Sequence, residues 1–176
     1  VIEAARLITK SKIQYEESPH LVIKCDQCGL TFHGNPYDAE RLYDEYHETT
    51  LLEFEDYSEQ SNSPHIRELY QINQQRVEWL RTVKPQGTLL DIGCGRGYFL
   101  KSATDAGYSV FGIDVAQNAI DYIGKQFSIQ GAVKSIDDLL KTGEKYDIIT
   151  LWHVLEHFYD PFAELNKIRK LLSNGG

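Results

Sequence analysis

The chain has 176 residues, 41% hydrophobic and 25% charged, which is the mixture of a folded globular protein and excludes collagen-like, low-complexity and disordered chains. Its formal charge of −8 is concentrated between Asp38 and Glu59, where nine acids meet one base. With no basic stripe to offset that patch, nucleic acid is not an expected partner, and the patch itself reads as a solvated helical face. No apolar run approaches the roughly 20 residues of a membrane span, and no secretory signal pattern is visible. The sequence contains no methionine, so it is expected to be a piece of a longer or processed chain. Three cysteines, an odd number without an export signal, point to a reducing, cytoplasmic setting rather than a disulfide framework.

Short extended segments are expected through about Leu30, with β-branched character over Leu21–Cys25 and a sharp turn at Gly29. Charged, tyrosine-bearing helical turns follow from Tyr37 to Tyr57. Ser63 and Pro64 supply a cap and a first-turn proline for a helix whose apolar stripe is Ile66, Leu69, Tyr70, Val77, Leu80 and Val83. From Thr88 strands and helices alternate: strands at Thr88–Ile92, Ser109–Ile113, Gly131–Lys134 and Tyr146–Trp152, helices at Tyr98–Ala106, Asn118–Phe127 and Pro161 to about Leu172. Such alternation predicts an α/β fold with a parallel sheet and right-handed crossovers. Two regions result, an N-terminal segment over 1–60 and an α/β core over 61–176.

The first strand runs into Gly93-x-Gly95-x-Gly97 and then a helix, a backbone-lined pocket with free N–H groups at the helix start. Asp91 lies two residues before Gly93, and Asp114 ends the second strand, where a carboxylate can take both ribose hydroxyls. A dinucleotide site needs its third glycine one residue later, where this chain has Tyr98. A carboxylate at Asp91 also faces a pyrophosphate badly and an ammonium or sulfonium group well. The spacing therefore disfavours a nicotinamide dinucleotide.

Leu89-Leu-Asp-Ile-Gly-Cys-Gly-Arg-Gly-Tyr-Phe99 resembles the first motif of class I S-adenosylmethionine-dependent methyltransferases. Phe111-Gly-Ile-Asp114 resembles their second-strand motif. Tyr146 to His157, followed by Asp160-Pro161, is similar to the fourth-strand motif of ubiquinone-type O-methyltransferases, and Leu171–Gly176 to the turn before a fifth strand. The resemblance implies a Rossmann-like sheet, with strands one to four of seven in the order 3-2-1-4. It assigns Asp91 and the backbone of Gly93, Gly95, Arg96 and Gly97 to the methionine portion of the cofactor, with Tyr98 as a further cofactor-binding candidate. Asp114 goes to the ribose and Val115 to the adenine, while Trp152 is expected to line the cofactor pocket or the core rather than touch the acceptor. Ser135 and Ile136 stand where the family often has an acid for the adenine amine, which leaves backbone groups for that task. Ala116 replaces a frequent helix-capping serine or threonine.

Methyl transfer to a hydroxyl needs an aligned acceptor and a proton acceptor. His153 is the first candidate base and His157 the second, both at the carboxyl end of the fourth strand. The alternative is that Glu156 and His157 only pin their loop by hydrogen bonds. Cys25-x-x-Cys28 has the spacing of half a tetrahedral zinc site and resembles the zinc-ribbon region of methyltransferases acting on sugars and related metabolites. Structural zinc and ordinary thiols both remain open there. The resemblance implies O-methylation of a small-molecule acceptor such as a sugar, and a sheet that continues past its fourth strand. A homodimer partner is the other way to cover that strand's edge. The alternative function is a non-catalytic cofactor-binding or zinc-ribbon interaction module.

Overall fold

The structure is a computed structural model that describes residues 11–17, 20–25, 29, 31–33 and 64–176. The acidic segment expected to be helical lies outside the described residues. Near the N-terminus, β1 (Ser11–Glu17), β2 (His20–Cys25) and β3 (Thr31–His33) form a three-stranded antiparallel sheet in that order.

The core begins with α1 (Pro64–Val83), opened by its proline and carried for twenty residues. Among the described side chains of this helix, Asn73, Val77 and Leu80, spaced by four and three, are the buried ones. Val83, expected on that stripe, is exposed instead, and Asn73 brings a polar side chain into it. The sheet follows with β4 (Thr88–Ile92), β5 (Ser109–Asp114), β6 (Gly131–Val133) and β7 (Ile148–Thr150). All pairs are parallel and the order is β6-β5-β4-β7, the order expected. Leu89 and Leu90 on the central strand point to opposite faces, as period-two alternation demands. Leu89 joins a core with Val77, Leu80, Phe99, Leu100 and Ile123; Leu90 joins another with Ile113, Ile136, Leu139, Ile168 and Leu171. Helices α2 (Tyr98–Asp105) and α3 (Gln117–Phe127) cover the first face together with α1. Helices α4 (Ile136–Thr142) and α5 (Pro161–Arg169) cover the second, which is why β4 is apolar on both sides.

Three features differ most from expectation. The last strand is shorter, because the chain bends at Trp152 and enters a single 3-10 turn at Leu155–His157. Helix α5 stops at Arg169, and Leu171–Ser173 turns back to bridge Tyr146 in parallel, with Tyr146 N–H donating to Leu171 O and Ser173 N–H to Tyr146 O. That bridge already engages the start of the edge expected to stay open. Helix α4 was not foreseen at all. It starts in a reciprocal capping box, in which Ser135 Oγ accepts from Asp138 N–H while the Asp138 carboxylate accepts from Ser135 N–H.

Candidate functional site

The turn after β4 is held by β5. The N–H groups of Gly93 and Cys94 both donate to Ile113 O, at 2.8 and 3.0 Å, and Gly97 N–H closes the turn onto Cys94 O. Gly97 sits at φ +67°, and a Cβ there would stand 2.5 Å from Ile123 Cγ2, so its glycine serves the close packing of α2 on α3. Gly95 differs: at φ +50° its missing side chain would meet nothing within 4 Å. The turn thus presents bare backbone to an open space. Cys94 is buried beneath it, and burial pushes its thiol well above the usual range, so it acts as an inert filler.

Asp114 braces the same turn. One carboxylate oxygen accepts from Gly95 N–H at 2.8 Å and the other from Ala116 N–H at 3.0 Å. The second bond supports the start of α3, where Ala116 has no side chain to offer. Each oxygen keeps a lone pair for a further donor.

A cavity of about 150 Å³ opens beside the turn. It gathers Asp91, Gly93, Arg96, Gly97, Tyr98, Trp152 and His153 from the sequence-derived set, and adds Asn73 and Arg76 from α1. Asp91 is 3% exposed, and burial raises its carboxyl to about 7. A 2.6 Å hydrogen bond from Thr150 Oγ1 and the positive charge of Arg76 oppose that rise, while nearby Asp114 adds to it. Arg76 Nη1 donates to Asn73 Oδ1 at 3.0 Å, and its guanidinium lies over the Trp152 ring. Trp152 in turn packs edge-on against Phe99, and its buried indole N–H has no hydrogen-bond partner among the described residues.

His153 holds a left-handed conformation, φ +57°, costly for a side chain of its size. This places its imidazole at the cavity mouth, with Nε2 3.4 Å from Arg76 Nη2 and Nδ1 3.7 Å from a Glu156 carboxylate oxygen. His157, on the 3-10 turn, is exposed and does not line the cavity; neither do Gly95, Asp114, Val115, Ser135 or Ile136. Ser135 spends its hydroxyl on the α4 cap, and Ile136 is buried in the core of the second face. Cys28 and the side chain of Cys25 lie outside the described residues. Among the described residues no cluster of three metal-ligating side chains occurs, and no helix is long and apolar enough to cross a membrane.

Asn73 and Arg76 are the residues that sequence reasoning missed. Their signal was present: Asn73 occupies a core-facing position four residues before Val77, and Arg76 follows it one turn later. A polar residue on the buried stripe of a helix needs a partner, and here that partner is a second polar residue at the cavity wall.

A parallel sheet whose first crossover carries an open glycine turn, followed by a carboxylate at the end of the next strand, is the layout of a Rossmann-like α/β domain. The sequence model of the family described as a methyltransferase domain matches residues 52–176, well over half of the chain, and the chain belongs to that family. Among curated proteins it is 33% identical over 117 residues to a ubiquinone biosynthesis O-methyltransferase of Hydrogenovibrio crunogenus, covering 61% of this chain and 48% of that one. The corresponding enzyme of Aeromonas salmonicida is 32% identical over 121 residues, covering 63% of this chain and 50% of its own. The chain thus spans about half the length of the curated relatives it matches. Its fold is shared with the magnesium protoporphyrin IX methyltransferase of Synechocystis PCC 6803. With bound SAH that structure gives a TM-score of 0.59 at 19% identity, over 77% of this chain and 68% of that one. With bound SAM it gives 0.58 at 18% identity, over 80% and 74%.

Proposed function

We propose that this chain binds S-adenosylmethionine beside the Gly93–Gly97 turn and takes part in moving its methyl group to a hydroxyl of a small-molecule acceptor. The observation that carries the reading is the pair of opposite charges in one cavity, the buried Asp91 carboxylate and the Arg76 guanidinium, next to bare backbone at Gly95. An α-amino acid presents an ammonium and a carboxylate a few bonds apart, and these two groups are its complement. The orphaned Trp152 N–H and the open face of Gly95 also suit a ligand with polar acceptors.

In this reading Asp91 holds the ammonium group, Arg76 the carboxylate, and the spare lone pairs of Asp114 the ribose hydroxyls. Val115 flanks the adenine, and any contribution from Ser135 and Ile136 comes from their backbone. The bound cofactor supplies an electrophilic methyl group on a sulfonium that leaves as a neutral thioether. His153 takes the acceptor proton on its imidazole, and the Glu156 carboxylate offsets the charge the ring gains. His157, farther along the same turn, is the reserve candidate. The O-methyltransferase names of the curated relatives support oxygen as the methylated atom; a sugar hydroxyl and a cytoplasmic setting are the finer parts of the proposal. Cys25 and Cys28 would supply two of the four ligands of a structural zinc.

The test is transfer of labelled methyl from S-adenosylmethionine to a panel of catechols and sugars by the wild-type chain and by His153→Ala. Cofactor binding retained with turnover lowered by about a hundredfold or more in the variant supports the reading. A wild-type chain that binds no cofactor overturns it.

A further inference from the structure

We propose that Thr150 is a positioning residue for cofactor binding: its hydroxyl, donated across one strand register to Asp91, keeps that carboxylate charged and aimed at the ammonium group of the ligand. The inference rests on the cofactor reading above and goes one residue beyond it.

Three observations support it. Asp91 and Thr150 are register partners on the adjacent parallel strands β4 and β7, so the sheet itself fixes their approach. The hydroxyl lies 2.6 Å from Asp91 Oδ1 and 3.4 Å from Leu90 O; it has one proton to give, and the short contact takes it. Thr150 is 7% exposed at the end of the apolar run Ile148-Ile149, where valine would fill the same space without a buried hydroxyl to satisfy. A hydroxyl retained there has to be bonded, and its bond goes to the one acid of the cavity wall.

The groups facing Asp91 are Thr150 from β7, Arg76 from α1, and Asp114 and Cys94 from the β5 end and the turn. Thr150 and Arg76 favour the charged carboxylate; burial and Asp114 oppose it. Arg76 reaches the acid from another element, whereas Thr150 stands beside it in the sheet. Removing the hydroxyl leaves the acid with its desolvation cost and one supporter fewer. The carboxyl then holds its proton to higher pH, and a neutral acid binds an ammonium ion poorly.

The experiment is calorimetric titration of wild type, Thr150→Val and Thr150→Ser between about pH 6 and pH 9. Two ligands are used: S-adenosylhomocysteine, which carries the ammonium group, and 5′-methylthioadenosine, which lacks the amino-acid portion. The valine variant is expected to bind S-adenosylhomocysteine about tenfold more weakly near pH 6.5, with the deficit shrinking as pH rises, and to bind methylthioadenosine as wild type does. The serine variant restores the wild-type profile. Equal weakening of both ligands, a deficit independent of pH, unchanged binding, or failure of serine to rescue overturns the proposal. Wild type that binds neither ligand removes the cofactor reading and this inference together, a result distinct from all the others.

Discussion

The guanidinium carbon of Arg76 stands 4.1 Å from the centroid of the Trp152 ring, which ties the helix before the sheet to the bend after its last strand. The stack covers the indole and holds the guanidinium beside Asp91, while Asn73 fixes the other end of the fork. Arg76→Ala is therefore expected to weaken binding of S-adenosylhomocysteine by about tenfold to a hundredfold and to leave methylthioadenosine nearly unaffected. Arg76→Lys keeps the charge but not the planar fork, so it should recover only part of the loss. Titration calorimetry with the two ligands separates these outcomes; lysine matching arginine would show that the stack and the fork are irrelevant.

Asp91 makes ligand-free stability depend on pH. Its folded carboxyl sits near 7, far above the unfolded value near 3.8, because burial favours the neutral acid. A raised folded value means that its stabilising contribution is complete below about pH 4 and is lost as pH rises through about 7. Asp91→Asn removes the buried charge, so the variant should melt higher than wild type at about pH 8 and lose that advantage near pH 5, while binding cofactor at least about tenfold more weakly. Melting curves of both chains across this range check it. A variant less stable than wild type at every pH would mean that Asp91 holds the fold together rather than serving a ligand.

What could be read in advance follows from which forces act locally. Parallel order, the glycine turn and both acids were legible because strand alternation and backbone-only pockets leave residue patterns at fixed spacing, as in Leu89-Leu90 and Gly93-x-Gly95-x-Gly97. Arg76 and Asn73 left only the fainter trace of a polar residue on the buried stripe four residues before Val77, and their place beside Asp91 arises only when α1 packs on α2. Ser135 shows a second local force at work. Its position suggested a ligand contact, yet Ser135 and Asp138 together spell a capping box, and the local hydrogen bonds use the side chain first. The end of β7 was overextended because Leu151 and Trp152 look like strand residues, whereas Trp152 leaves the sheet to meet Phe99 and Arg76.

The glycines of the turn should fail in different ways. Gly97→Ala places a Cβ 2.5 Å from Ile123 Cγ2 at φ +67°, so it is expected to destabilise the fold by about 1–3 kcal/mol. Gly95→Ala meets no protein atom and carries only the left-handed backbone cost of about 1 kcal/mol, but its methyl enters the open space beside the cavity. Cofactor affinity should therefore drop more than stability for Gly95→Ala, and stability more than affinity for Gly97→Ala. Paired denaturation and binding measurements read both quantities on each variant. Equal losses in the two would remove the distinction between a packing glycine and a cradle glycine.

At the opposite end of the sheet, Asp147 clamps three segments with one carboxylate. Oδ2 accepts from Thr88 N–H at 2.9 Å and Thr88 Oγ1 at 3.0 Å, Oδ1 accepts from Ser173 Oγ at 2.8 Å, and Lys84 Nζ lies 3.6 Å away. These donors, the Thr88 amide foremost, hold its carboxyl down at about 2. A depressed folded value stabilises the protein above the unfolded value near 3.8, and that contribution is lost as pH falls through about 2. Asp147→Asn should therefore show a lower urea midpoint than wild type at neutral pH, because the charge-assisted bonds to Thr88 and Ser173 become ordinary ones. As the solution is acidified from about pH 4 to pH 2 the wild-type midpoint should fall toward that of the variant. Two curves that stay parallel through this window would show that the clamp holds no ionised carboxylate, and that the bridge from Leu171–Ser173 to Tyr146 stands without it.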